Sequence, residues 1–146
     1  MPEIRPILLA EDNANDVELT LTALQAHHVA NDVVVVRDGA EALDYLFRRG
    51  AYANRASGHP ALLLLDLKMP KVDGLEVLRH VKADPQLRRM PVVVLTSSRE
   101  ESDLARSYDL GVNAYVVKPM NFPDFIQAVE TLGAFWAVLN ELPQVR

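Results

Sequence analysis

Five short apolar runs recur along the chain, and segments long enough for a helix separate most of them. The runs occupy residues 7–10, 33–36, 62–65, 92–95 and 115–117. Most are β-branched or entirely apolar rather than alternating, which is typical of strands buried on both faces of a parallel sheet. We therefore predict five parallel strands.

Apolar residues with helical spacing fill the segments between the strands. The predicted helices follow Asn13, span 39–47, run from Gly74 to the Asp84-Pro85 pair, span 100–110, and begin again at about Asn121. This alternation predicts an α/β fold, a doubly wound parallel sheet with right-handed crossovers. The polar connection at 48–60 is long, and we expect it to be disordered or to be a partner-specific loop.

Ionisable and hydroxyl residues follow four of the five predicted strands. Glu11 and Asp12 follow the first, Asp66 the third, Thr96 the fourth and Lys118 the fifth. Open parallel sheets place their sites just beyond the carboxyl ends of the strands. Each residue alone has an ordinary explanation as a turn, helix cap or surface charge, but their joint placement favours one functional site.

Three carboxylates at one edge repel one another unless a counter-charge is present. A hard divalent cation with oxygen ligands supplies that charge, and no histidine or cysteine in the cluster favours zinc, so we predict Mg²⁺. A carboxylate beside such a metal can attack a phosphoryl group and form an aspartyl phosphate. Lys118 would balance the incoming charge, and the Thr96 hydroxyl could donate to a phosphoryl oxygen.

The stretch LLLLDLKMPKVDG, residues 62–74, shows how the sequence would present this carboxylate. The leucines anchor the strand, and we expect Asp66 at its exposed end. Pro70 would give the following loop one fixed φ, and Gly74 would give it one permissive φ.

Composition narrows the class of protein. The chain has 146 residues, the usual size of one domain, and a net charge of -5 with both signs interspersed. The absence of a basic run argues against nucleic acid or anionic lipid as a partner. There is no cysteine, and neither a signal peptide nor an apolar run near membrane-spanning length is present. We expect a soluble, cytoplasmic protein.

Four motifs of the chain resemble, in their order and spacing, those of the receiver domain of two-component response regulators. They are LLAEDN, LLLLDLKMPKVDG, VVVLTSS and AYVVKP. The resemblance runs from about residue 7 to 133. It implies the flavodoxin-like strand order 2-1-3-4-5. We expect a receiver domain at 1–133 and a C-terminal helical extension at 134–146, with no output domain.

The resemblance assigns a role to each matching residue. Asp66 aligns with the phosphoacceptor, and Lys118 with the lysine that pairs with the phosphoryl group. Asp12 aligns with a direct Mg²⁺ ligand, Glu11 with a ligand acting through water, and Lys68 with the residue that offers its backbone carbonyl.

The resemblance also implies a switch. Thr96 and Tyr115 align with the pair in which the hydroxyl moves onto the phosphoryl oxygen and the ring turns into the vacated space. Pro119 aligns with a proline preceded by a cis peptide. Lys68 and Ser97, close to the phosphoryl group, are less typical of the family, which leaves the lifetime of the phosphorylated state open.

The tail carries a heptad-like seam. Its members step by three and four residues: Phe122, Phe125, Val129, Leu132, Trp136 and Leu139. Pro143 marks where the helix can no longer continue. We predict an extended C-terminal helix that forms a homodimer contact, because its outer half would otherwise expose an apolar patch.

A narrower resemblance points to a partner. The GAYAN loop, residues 108–110 and the FW…LP ending are similar to the small receivers partnered with bacterial phytochromes. This implies a light-sensing histidine kinase as the phosphoryl donor to Asp66.

Competing functions remain open. The leading interpretation is a phosphorylation-controlled switch whose own chemistry is limited to gaining and losing one phosphoryl group. A phosphatase typically needs a second acid two residues after the nucleophile, where this chain has Lys68. A receiver-fold binding module that is never phosphorylated is the main alternative. A flavin carrier would need a phosphate-cradling loop after the first strand, which is missing.

Overall fold

The computed structural model describes residues 5–26, 31–56, 58–96 and 114–117. The predicted helix at 100–110 and the C-terminal helix with its seam lie outside these residues. The elements, in chain order, are β1 (Ile7–Ala10), α1 (Ala14–Ala26), β2 (Val33–Val36), α2 (Gly39–Leu46), a short 3₁₀ helix (Gly50–Tyr52), β3 (Leu62–Asp66), α3 (Gly74–Ala83), β4 (Val92–Thr96) and β5 (Ala114–Val117).

The described strands form one parallel sheet in the order β2-β1-β3-β4-β5. This confirms the strand order that the resemblance implied. The strand bounds differ from the prediction by one residue in β3, β4 and β5. The register places Ala10 opposite both Val36 and Leu65, and Asp66 opposite Leu95. The carboxyl ends of β1 and β3 therefore lie side by side.

The strands β1, β3 and β4 are buried on both faces of the sheet, which explains their fully apolar runs. Alternate strand residues, Leu8 and Leu63 among them, pack with α2 and α3 in one cluster. The intervening residues, such as Leu9 and Leu64, pack with α1 in a second cluster, where Val17 is also buried. Because β1, β3 and β4 have an apolar layer on either side, a polar alternation along these strands would bury unpaired groups.

Side-chain caps start the helices just beyond the carboxyl ends of the strands. Asn13 Oδ1 accepts from Asp16 N at 3.0 Å, Asp38 Oδ1 from Glu41 N at 2.7 Å, and Asp73 Oδ1 from Glu76 N at 2.9 Å. In the described part of the chain, no helix is both long and apolar enough to cross a membrane.

The connection at 48–60 is folded in its described residues, so the expectation of disorder there is wrong. The Arg55 guanidinium donates to four backbone carbonyls, those of Tyr45, Leu46, Ala56 and Gly58. It also stacks on the Tyr45 ring, with 4.3 Å from Cζ to the ring centroid. The sequence could not predict this role of Arg55. An arginine that binds backbone carbonyls cannot be distinguished by sequence from one that is exposed to solvent.

Tyr52 in the 3₁₀ helix gives this region a measurable pH dependence. Its hydroxyl donates to Glu41 Oε2 at 2.6 Å, and this hydrogen bond, with burial, raises the pKa of Tyr52 from 10.0 to about 12. A raised folded-state pKa contributes stability that is complete below pH 10 and is lost between pH 10 and 12. We expect Tyr52→Phe to lower the free energy of unfolding by about 1 kcal/mol at neutral pH.

The test is urea unfolding of wild type and Tyr52→Phe across this alkaline range, with tyrosinate absorbance followed in parallel. The difference between the two proteins should shrink as the pH rises. A difference that stays constant up to pH 12 would contradict the hydrogen bond to Glu41.

Candidate functional site

The three predicted carboxylates come together at the ends of the adjacent strands β1 and β3. One oxygen each from Glu11, Asp12 and Asp66 lies within 4.8 Å of the other two. Glu11 is completely buried and Asp66 is 3% exposed, whereas Asp12 is exposed. The register explains the meeting, since Glu11 and Asp66 each follow one residue of the paired Ala10 and Leu65.

Backbone amides orient the two buried carboxylates. Asn13 N donates to Glu11 Oε2 at 3.2 Å, and Lys68 N donates to Asp66 Oδ1 at 3.3 Å. Glu11 N in turn donates to Val36 O at 3.0 Å, which ties this position to β2. The amide donors partly offset the free-energy cost of burying negative charge, and they fix the orientation of the two carboxylate groups.

Asp66 is not at an exposed strand end, so that expectation is wrong. It is the last residue of β3, and the loop behind it folds back over the strand end. Leu67 N donates to Leu95 O at 3.3 Å, and Gly74 N donates to Leu67 O at 2.7 Å. Asp12 is the exposed member of the cluster.

Glycine is needed at position 74 because a side chain would not fit there. The expectation that this residue uses a permissive φ is wrong. A Cβ added there would lie 2.4 Å from the Asp66 carbonyl oxygen and 2.6 Å from Leu67 Cα. The positive φ of this loop falls on Lys71, at 69°. Lys71 Nζ lies 3.5 Å from Asp38 Oδ2, so the strained residue is also tied to the cap of α2.

A second close approach, which the sequence did not reveal, holds the same loop from the side of α2. A Cβ on Gly39 would lie 1.7 Å from Val72 O, so the first residue of α2 is in backbone contact with the loop that follows Asp66. The Asp38-Gly39 pair is a recognisable helix-start signal, but it contains no hint of this long-range contact.

The donor set fits a hard divalent cation. Carboxylate oxygens are the ligands that Mg²⁺ and Mn²⁺ prefer, and no histidine of the described residues joins the cluster. Two oxygens on opposite sides of Mg²⁺ are about 4.2 Å apart. The three carboxylate oxygens lie within 4.8 Å of one another, a separation close to this distance.

The strands β4 and β5 bring further predicted residues to the same edge. Thr96 ends β4, directly after Leu95, the partner of Asp66, and it pairs with Val117 at the end of β5. Tyr115 pairs with Val94. The side chains of Thr96 and Tyr115, and the whole of Ser97, Lys118 and Pro119, lie outside the described structure, so their roles stay predictions.

The family described as the response regulator receiver domain matches residues 7–130. This range includes the acid cluster and every described strand. The chain belongs to the response regulator receiver family. The sequence resemblance and the fold that it implied are thereby confirmed.

A curated relative of this receiver is the response regulator Rcp1 of Synechocystis sp., which is 42% identical over 137 residues. The alignment covers 94% of this chain and 92% of the relative. The solved Mn²⁺-bound form of Rcp1 has a TM-score of 0.80 and covers 90% of this chain and 94% of its own. The structure of a relative of similar length has thus been solved with a bound divalent metal.

Two further solved structures concern phytochrome signalling. The bacteriophytochrome response regulator AtBRR is 66% identical, with a TM-score of 0.79 and coverage of 96% of this chain and 100% of that one. The phosphorylated cyanobacterial phytochrome response regulator RcpA is 47% identical, with a TM-score of 0.81 and coverage of 92% and 95%. The resemblance to receivers associated with phytochromes is confirmed.

Proposed function

We propose that this receiver accepts a phosphoryl group on Asp66 from the phosphohistidine of a sensor histidine kinase, in a reaction that requires Mg²⁺. The observation that carries the proposal is the buried Asp66 carboxylate, held by the Lys68 amide within 4.8 Å of two further carboxylates. The phosphorylated state of RcpA, a similar receiver, supports it.

In the proposed step, a carboxylate oxygen of Asp66 attacks phosphorus and the phosphorus–nitrogen bond breaks. The departing imidazole keeps the electron pair of that bond. Glu11, Asp12, Asp66 and the Lys68 carbonyl would hold Mg²⁺, which when bound neutralises charge on the phosphoryl oxygens. The Lys68 amide holds Asp66 Oδ1 in place, so the carboxylate needs little reorientation before attack.

The predicted residues beyond the described part of the site would complete the reaction. Lys118 would pair with the transferred group, and Ser97 would contact it. The Thr96 hydroxyl would donate to it and, with Tyr115, convert phosphorylation into a change of surface. The strand pairing of Thr96 with Val117, directly before Lys118, supports this arrangement.

We infer that the physiological donor is a phytochrome histidine kinase, because AtBRR and RcpA are both phytochrome response regulators by name. We also infer no turnover of an external phosphomonoester, since the position two residues after Asp66 holds Lys68 and lacks a general acid. The C-terminal seam is the proposed homodimer contact. A protein that stays monomeric at micromolar concentration with and without phosphorylation would contradict that contact.

Phosphotransfer from a purified, autophosphorylated bacterial phytochrome tests the donor. We expect label to move from the kinase to this chain in the presence of Mg²⁺, with a rate that depends on the light state of the kinase. Asp66→Asn should abolish the transfer, whereas Asp44→Asn should preserve it, because Asp44 is 43% exposed on α2 and is not in the cluster. Transfer to Asp66→Asn would contradict the proposed acceptor.

A further inference from the structure

A cavity of about 880 Å³ lies at the opposite edge of the sheet from the acid cluster. Helices α2 and α3 begin beyond the carboxyl ends of β2 and β3, so their last residues reach the amino edge of the sheet. The cavity is lined there by three segments: the end of α2 with the next two residues, the connection at 53–55 and 58–59, and the turn at 84–89. Its volume is in the range of small-molecule sites.

The lining is strongly cationic in a chain whose net charge is -5. Four arginines line the cavity: Arg48, Arg55, Arg88 and Arg89. None of them forms an ion pair with a carboxylate of the described residues. Asp84 is the sole acid among the described lining residues, and its Oδ2 already accepts from Gln86 N and Leu87 N at 2.9 Å each.

Arg55 is a fixed cation in this lining. Its four carbonyl contacts and its stack on Tyr45 hold the guanidinium in one orientation. Burial, together with the charge of Arg48, lowers the pKa of Arg55. An anion in the cavity would relieve the mutual repulsion of these arginines, and the guanidinium groups of the exposed Arg88 and Arg89 could reach it as planar donor forks.

The rest of the lining is mixed and includes His59 and Gln86 as well as apolar side chains. Leu46 and Leu87 are 4% and 5% exposed and Phe47 is half-buried against the core, so Phe47 offers the most accessible surface of the three. We call these three residues the apolar floor. Inorganic phosphate would use the arginines and leave the accessible part of Phe47 in contact with water. A ligand with a flat ring would cover that part.

We propose that this cavity binds a small phosphorylated organic anion of the nucleotide class, with its phosphates on Arg48, Arg88 and Arg89 and its ring on the apolar floor. The acid cluster at the other edge takes no part, so the ligand needs no divalent metal. This site is independent of the phosphorylation proposed at Asp66.

Calorimetric titration of the full chain in EDTA with ADP, pyrophosphate and adenosine tests the proposal. We expect saturable binding of ADP, weaker binding of pyrophosphate, and none detectable with adenosine. Arg88→Gln and Arg89→Gln should each weaken ADP binding about tenfold, the size of one lost charge-assisted contact. Both side chains are exposed, so the variants should fold normally.

Arg79→Gln is the matched control. Arg79 on α3 does not line the cavity, and it pairs instead with Glu76. It should change ADP affinity less than about twofold, since it removes the same charge from a position outside the cavity. Absence of saturable ADP binding would overturn the proposal, as would equal weakening by Arg79→Gln and Arg88→Gln. Equal affinity for ADP and pyrophosphate would overturn the role of the apolar floor and hence the nucleotide class.

Discussion

Replacing Gly74 with alanine is expected to lower the free energy of unfolding by about 2–4 kcal/mol and to weaken divalent-metal binding at the same time. The added Cβ would lie 2.4 Å from the Asp66 carbonyl oxygen, so either α3 or the end of β3 must move. Both contacting atoms belong to the backbone, which cannot rotate away as a side chain can. The strain is therefore transmitted to the residue that carries the acceptor carboxylate.

Urea unfolding and Mg²⁺ titration of the same variant measure the two effects. Gly58→Ala is the control, because Gly58 has a φ of 102° but nothing within 4 Å of an added Cβ. This variant should lower the free energy of unfolding by about 1–2 kcal/mol, because alanine disfavours the positive φ, and it should leave the affinity for Mg²⁺ unchanged. A Gly74→Ala protein with wild-type stability and wild-type metal affinity would contradict the close approach.

Asp66→Asn is expected to raise stability without metal and to remove most of the stabilisation that Mg²⁺ provides. Two of the three clustered carboxylates are buried, and at an effective dielectric constant of about 20 each pair repels by about 3–4 kcal/mol at this separation. Asparagine keeps an oxygen that can accept from Lys68 N, so this hydrogen bond should survive the substitution. The substitution also removes the attraction between the Asp66 charge and its other partners, so we expect a net gain of only about 1–2 kcal/mol in EDTA.

When Mg²⁺ is present, we expect the substitution to reduce stability relative to wild type. Wild type at a Mg²⁺ concentration of about 100 times its dissociation constant should gain about 2.7 kcal/mol, whereas Asp66→Asn should gain little. Asp44→Asn removes a charge from an exposed part of α2 and should change neither quantity. An Asp66→Asn protein that is less stable in EDTA, or that keeps the full Mg²⁺ effect, would contradict the repulsive cluster.

The strands and the acid cluster were predictable because each is encoded locally. A strand covered on both faces needs a continuous apolar run, and the ends of such runs specify where ionisable residues collect. Glu11 and Asp66 could therefore be placed at the same edge of the sheet from their positions after Ala10 and Leu65. The motif resemblance then supplied the strand order, which local patterns do not encode.

What the sequence could not reveal depends on contacts between distant segments. The burial of Asp66 results from the loop that closes through Gly74 N and Leu67 O, and the need for glycine at 74 comes from a backbone that approaches it. Arg55 looks like a loop cation until its carbonyl partners are known. In each case the residue type is compatible with several environments, and tertiary packing selects one.

The most direct test of the central claim is intact mass after incubation with Mg²⁺ and a small phosphoryl donor such as acetyl phosphate. We expect wild type to gain a single phosphoryl group, and to gain none when the metal is omitted or when Asp66 is replaced by asparagine. An adduct that persists in Asp66→Asn, or no adduct on wild type with either the small donor or a phytochrome kinase, would contradict phosphorylation at this site.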